Sequence, residues 1–446
     1  MTKKSRRWIN TPPALAGIVL SLLGILVRLW LWLQYEVISY GDTGAYYRLA
    51  RVVATLNLNR YDGTRVPGYP AFLALAGLQD ERAWILQMIL GWLISLLLFW
   101  IAWRTTHNAW VAFSLGALYS LIPGQLFFEA NLLSETLTTF CVVFSFAILV
   151  EAIKAENFIG GLVLTFLAGV AASMVGMVRP LFFPLTLWYL PFVALVGPGD
   201  WRRRLLRLAL YSVGPLLIQG GWLLFIFDHY KMISPTTMAG YSLVQHTGEY
   251  FEYLPDEVAS IRDTYIEYRD AQIAERGVQT NAIWEAIPAL QEKTGLSFYG
   301  LSREMGRLSR QLIRAHPDLY LRNVLEGWVG FWKAPVYWAP TVFNVPWVEA
   351  FLQGAALVGR GICIFANMLF LGMSALSLLS RLFRRNFGID RFSVLAGGMV
   401  WMISILQTLV DHGDNPRFLV PLQMLVVYVV VRAFWFYRQK RIPRGG

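Results

Sequence analysis

Asp42, Arg65, Glu135, Arg179 and Arg417 are the residues of this 446-residue sequence whose types and setting could do chemistry. They lie in YGDTGAYYRLA, RYDGTRVPGYP, LLSETLTTF, MVRPLFFP and DHGDNPRFLVP, each at the edge of an apolar run and most beside a glycine or proline. A carboxylate at such an edge can take the proton of an attacking hydroxyl. An arginine on a rigid turn can present its planar fork to a phosphate. Plain structural roles are open to the same residues. Asp42 stands where a helix over 43–57 would start and could cap it, Ser134-Glu135 could open another helix, and Arg65 could snorkel at an interface. Glu129, Asp411, His412 and Asp414 fall near the same edges. His246 and Glu249, in QHTGEY, could join a metal site or be ordinary loop polarity. Arg28 and Arg432 sit inside apolar runs, where structural pairing or snorkelling is expected.

The elements that must position these residues are membrane spans. Hydrophobic residues make up 56% of the chain and charged residues only 15%, against about 25% charged in soluble domains. That excludes a soluble globular enzyme and a disordered or collagen-like chain. Cys141 and Cys363 both lie in apolar runs, so neither a disulfide framework nor a cysteine zinc site can be built. Runs of about 18 or more apolar residues mark spans. Ten are expected, over 13–34, 83–103, 109–127, 134–152, 158–178, 181–197, 208–227, 361–380, 392–411 and 417–437, giving an all-α polytopic membrane protein.

With the N-terminus inside, Arg104, Lys154, the 202–207 arginines, the 381–391 arginines and the 438–444 basic residues all fall on the cytoplasmic side, as the positive-inside rule requires. The net charge of +11 is thereby topology, and no nucleic-acid partner is expected. Two long segments, 35–82 and 228–360, then lie outside, dividing the chain into 1–227, 228–360 and 361–446. The second is polar over 228–326, with helical pieces over 255–277 and 297–326. Its aromatic, proline-broken stretch 327–349 is expected at headgroup level. The acid and arginine candidates gather on the outer side, which points to a cavity open to the outer leaflet.

Together these motifs resemble the GT-C superfamily of membrane glycosyltransferases, more closely the bacterial relatives of the protein mannosyltransferases and the lipid A aminoarabinose transferase. The matching pieces are Asp42…Tyr46, Arg65-x-Pro67-Gly68-Tyr69-Pro70, Pro123 followed by Ser134-Glu135-Thr136, Arg179-Pro180 and Asn415-Pro416-Arg417-Phe418. The resemblance implies a GT-C-like bundle with juxtamembrane helices near 43–57 and 68–80. It also implies inverting transfer of a sugar from a polyprenyl-phosphate carrier to a glycan, lipid or protein acceptor. Asp42 matches the family's base. TTMAGYSLVQ, before His246, is similar to a segment that reaches into the site. The chain departs from the aminoarabinose transferase in having Thr64-Arg65 where that enzyme has Glu-Lys, so the phosphate contact carries over and the acid metal ligand does not. No separate soluble domain is expected after the last span, which leaves acceptor binding to 228–360.

A phosphate leaving group needs no general acid, so two roles remain: a base, assigned to Asp42, and a cation on the phosphate, assigned to Arg65. Arg417 and Arg179 are further phosphate candidates. Glu135 is a second acid that could orient the acceptor or bind a divalent cation, the one candidate cofactor. Tyr46, His246 and Glu249 are acceptor or loop candidates. The alternatives are a ligase using a polyprenyl-diphosphate glycan and a secondary transporter or flippase. The expected location is a bacterial plasma membrane, with the site on the periplasmic face and both termini in the cytoplasm.

Overall fold

The computed structural model describes residues 12–194, 200–339, 346–413 and 415–441. Asp414, Phe343, the basic residues of the N-terminal tail and Arg444 lie outside them, as does the Trp347 side chain. The fold is an all-α polytopic membrane bundle. Eight helices among the described residues are long and apolar enough to cross a membrane: Pro13–Gln34, Asp80–Thr106, Glu135–Lys154, Phe158–Val178, Trp201–Tyr230, Val348–Leu379, Arg391–Val410 and Asn415–Arg441.

Two of the ten expected spans have a different form. The run expected over 109–127 is a helix pair, Ala109–Leu121 and Pro123–Glu129, bent by 64°. Pro123 has no N–H to continue a helix but suits the first position of a new one, so the chain turns there. The run expected over 181–197 is seen as a shorter apolar piece, Pro180–Ala194. Its neighbours show that it carries the chain back through the bundle. Phe158 lies under the Arg203 guanidinium, 5.0 Å away. Further along, Gly169 lies against the Tyr211 backbone, and the Ser173 carbonyl accepts from Gln219. The two flanking helices therefore run parallel, which requires a return between them.

Arg104, Lys154 and Arg432 come together at one end of the bundle. Arg104 grips Glu151 at 2.6 Å, Lys154 reaches the Arg104 carbonyl, and Arg432 pairs with Asp390 at 2.6 Å. Arg432 is thus structurally paired and does not snorkel. Arg28 is paired as well, deep between helices, where both Glu129 oxygens accept from it at 2.6 and 2.8 Å. This overturns the placement of Glu129 at the outer cavity: its carboxylate is fully buried against Gly91. A Cβ at position 91 would stand 2.0 Å from Glu129 Oε1, so only glycine leaves room for the pair.

The segment after Tyr230 has an apolar core of its own. Tyr241, Phe251, Leu290, Leu301, Met305 and Leu308 close it among the helices Ala239–Thr247, Ala259–Arg276, Ala282–Thr294 and Phe298–Ala315. The two expected helical pieces are present, the second continued by Pro317–Phe331. Ala282–Thr294 was not expected from the sequence. The aromatic stretch packs in part against the bundle. Phe331 and Trp332 are buried against the bundle, and Trp328 stacks on Trp401 at 6.0 Å.

Candidate functional site

The segment after the first span is fastened to the loop that leads into Glu135. The Ile38 N–H donates to Ala130 O and the Ile38 carbonyl accepts from Leu132 N–H, both at 2.9 Å. The Thr43 hydroxyl donates to Leu132 O and accepts from the Tyr40 N–H, also at 2.9 Å. Thr43 therefore closes the start of the helix Gly41–Ala54, and Asp42 is released from the capping role its position allowed.

The Arg65 turn is placed equally firmly. Asp62 Oδ1 accepts from the Thr64 N–H and hydroxyl at 2.9 and 2.6 Å, fixing the chain just before Arg65. The helix Gly68–Leu75 then starts directly on the end of Phe158–Val178. A Cβ at Gly68 would stand 2.4 Å from the Met177 carbonyl oxygen, so glycine is required for that approach. Arg179 follows two residues later, with its guanidinium 4.3 Å from the Phe418 ring centroid.

These constraints bring all five charged candidates into one alternating chain. Arg65 donates to Asp42 Oδ1 at 2.7 Å, and Arg417 donates to Asp42 Oδ2 at 3.1 Å. Arg417 also donates to Glu135 Oε1, which accepts from Arg179 at 3.0 Å. Three guanidiniums and two carboxylates leave the cluster at +1. Glu135 is wholly buried, whereas Asp42 keeps 31% of its side-chain surface. Burial works against the Asp42 charge, but Arg65 and Arg417 outweigh it and hold the carboxyl down at about 2. Tyr46 completes one wall, donating to the Ser134 hydroxyl at 3.3 Å, with Arg65 5.9 Å from its ring centroid.

TTMAGYSLVQ does reach this cluster. The Thr237 N–H donates to Gly63 O at 2.9 Å, and Arg65 contacts the Met238 sulfur. Met238 was missed because nothing in a thioether's sequence context marks it as a neighbour of an arginine.

His246 and Glu249 do not join the cluster. Glu249 is exposed, while His246 is fully buried beside His412, its ring 5.4 Å from that ring and 5.3 Å from Tyr320. No group of three or more His, Cys, Asp or Glu side chains suited to a metal occurs among the described residues. The Asp42–Glu135 pair also fits a divalent cation poorly as it stands, since each carboxylate already faces two guanidiniums.

Burial, then the neighbouring His412, pushes His246 down to about 3. His246 thus stays neutral in the fold, whereas an unfolded chain binds its proton below about 6.5. Stability is full above that value and falls on acidification towards 3. Between pH 7 and 5 the loss should be about 2 kcal/mol. Unfolding midpoints measured at both pH values should show it in the wild type, with most of the difference gone in His246→Phe.

No family model and no curated protein sequence matches the chain. Among solved structures it is similar to the archaeal oligosaccharyltransferase AglB of Archaeoglobus fulgidus, solved with an inhibitory peptide and a dolichol-phosphate. The identity is 12% and the TM-score 0.47, over 96% of this chain and 50% of that one. It is also similar to ArnT of Cupriavidus metallidurans in the apo state, at 16% identity and TM-score 0.38, over 94% and 78% of the two chains. For ArnT bound to undecaprenyl phosphate the values are 16% and 0.39, over 92% and 77%. The chain spans about half the length of the archaeal protein.

Proposed function

We propose that the protein is an inverting glycosyltransferase that takes a sugar from a polyprenyl-phosphate carrier at the outer face of a bacterial plasma membrane. The observation that carries this reading is the chain Arg65–Asp42–Arg417–Glu135–Arg179. It lies at the opposite end of the bundle from the basic, cytoplasm-type end. Arginine forks matched to phosphate stand there beside a carboxylate that keeps about a third of its side-chain surface exposed.

The geometry implies an order of events. In the free protein Asp42 is a poor base, because two arginines stabilise its anion. An incoming donor phosphate competes for Arg65 and Arg417, and the cluster's surplus positive charge favours its entry. Once the guanidiniums turn to the phosphate, Asp42 loses their stabilisation, gains an anionic neighbour and becomes more basic. It then takes the acceptor hydroxyl's proton as that oxygen attacks the anomeric carbon from the face opposite the leaving phosphate. The arginines hold the charge that develops on the leaving group. Glu135 and Arg179 keep Arg417 in place. This scheme assigns no step to a metal ion.

The order has a pH signature. The acid limb of kcat/KM reports the free protein and that of kcat the donor-bound one. Asp42, held at about 2 when free, should impose no acid limb on kcat/KM in the working range. On kcat it should impose one at clearly higher pH. Rate profiles between pH 4 and 8 test this, and coincident limbs would argue against donor-triggered release of the base. Three guanidiniums also suffice for a diphosphate donor, so mono- and diphosphate carriers belong in the same assay.

A further inference from the structure

A cavity of about 610 Å³ opens beside the charged cluster, between the first external segment and the helices Ala282–Thr294 and Phe298–Ala315. That size lies within the ~300–1,000 Å³ range of small-ligand sites. Arg65 is part of its lining, so the cavity adjoins the reacting carboxylate it pairs with. Beyond Arg65 the walls carry two further arginines, Arg48 and Arg60, and the aromatic side chains Tyr230, Trp284 and Tyr299.

The charges in this cavity are unbalanced. Its single acid, Asp62, is committed, holding Thr64 through one oxygen and Arg48 through the other at 2.9 Å. With Arg48 on Asp62 and Arg65 on Asp42, Arg60 leaves the lining at +1. Arg60 makes no hydrogen bond to another described side chain. The aromatic faces are also available: Trp284 is only partly covered, and Tyr299, edge-on to Tyr230 at 5.4 Å, keeps 38% of its surface exposed. Rings with an apolar face and a polar edge suit a sugar, whose C–H face stacks while its hydroxyls stay wet.

We propose that this cavity is an acceptor subsite for an anionic carbohydrate, a glycan or glycolipid headgroup bearing phosphate or carboxylate. Trp284 and Tyr299 carry the sugar ring, and Arg48 and Arg60 carry the anion. The inference rests on the transferase reading above. The donor meets only its Arg65 edge, and the lipid tail does not fill it: apart from Tyr230, at the end of a span, the lining comes from segments outside the spans. An acceptor seated here directs a hydroxyl past Arg65 towards Asp42, and its negative charge favours it over neutral glycans.

The test uses the full chain in phosphatidylcholine nanodiscs and reads binding without turnover. The probes are pentamannose ending in mannose 6-phosphate, the same glycan without phosphate, and undecaprenyl phosphate. Wild type should bind the phosphorylated glycan about tenfold tighter than the neutral one. The double variant Arg48→Ala/Arg60→Ala should abolish that preference. Trp284→Ala/Tyr299→Ala should weaken both glycans about tenfold. Undecaprenyl phosphate binding should be unchanged in both variants, which also shows that they are folded. Equal affinity of wild type for the two glycans, binding of neither, or phosphorylated-glycan binding insensitive to both double variants would overturn the subsite. Failure of wild type to bind undecaprenyl phosphate would instead count against the transferase reading itself.

Discussion

Asp42→Asn should lower kcat by about 10²–10⁴, the range that a positioned general base contributes, while donor affinity is maintained or rises. The second half of this expectation separates a base from a structural anion. In the free protein the Asp42 carboxylate occupies forks of Arg65 and Arg417, so a donor phosphate must displace it. An amide of nearly the same shape keeps the packing but competes weakly for those arginines. If Asp42 only held the arginines in place, its loss would loosen them, and donor affinity and thermal stability would fall together with turnover. Single-turnover kinetics on donor-loaded protein, alongside donor titration, measure the two effects separately. Weakened donor binding with a near-normal chemical step would remove Asp42 from the role of base.

The largest stability effect is expected far from the chemistry, at Arg28 and Glu129. Arg28 is 4% exposed and Glu129 fully buried, and the guanidinium also donates to Gly24 O and the Ser120 hydroxyl at 3.0 and 3.1 Å. Removing one member of such a pair strands the other charge, at about 3–5 kcal/mol. Arg28→Met should lose roughly that amount. The double replacement Arg28→Met/Glu129→Met should recover most of it, because a buried pair replaced by apolar groups of similar volume is often neutral. Thermal or detergent unfolding of the three proteins checks this. A double variant as unstable as the single one would mean that the pair fixes the bend at Pro123 beyond its own electrostatics. The same bend is pinned by Gln87, whose amide donates to the Glu129 and Asn131 carbonyls at 2.9 Å.

The bundle and the charged cluster were legible in the sequence for different reasons. Apolar run length reports burial in a bilayer directly, so the eight long spans could be read without tertiary information. The five cluster residues stood out because charge is costly near apolar runs and each was tied to a turn. Their pairing was not legible. That Arg417 bridges Asp42 and Glu135 depends on contacts such as Ile38 to Ala130, between segments far apart in the chain.

Glu129 was misplaced for the same reason: its partner, Arg28, lies 101 residues away, and sequence position alone put the carboxylate at the edge of a straight helix. The bend at Pro123 carries it inward instead. That Phe331 and Trp332 are buried against the bundle was likewise not legible from composition. The cavity lined by Arg48, Arg60, Trp284 and Tyr299 left no local signal, since it forms only where two segments outside the spans meet.

The most direct test of the central claim is consumption of polyprenyl-phosphate-linked sugar by the purified protein in lipid, wild type against Asp42→Asn. Radiolabelled donors extracted from bacterial membranes supply the carrier pool, and a membrane glycan fraction supplies the acceptor. Expected is release of undecaprenyl phosphate by the wild type with label moving to the acceptor fraction. In the variant, release should fall by about 10²–10⁴ while the donor still binds. No release by folded wild-type protein from any mono- or diphosphate pool, or equal release by the two proteins, would contradict a lipid-linked glycosyltransferase with Asp42 as its base.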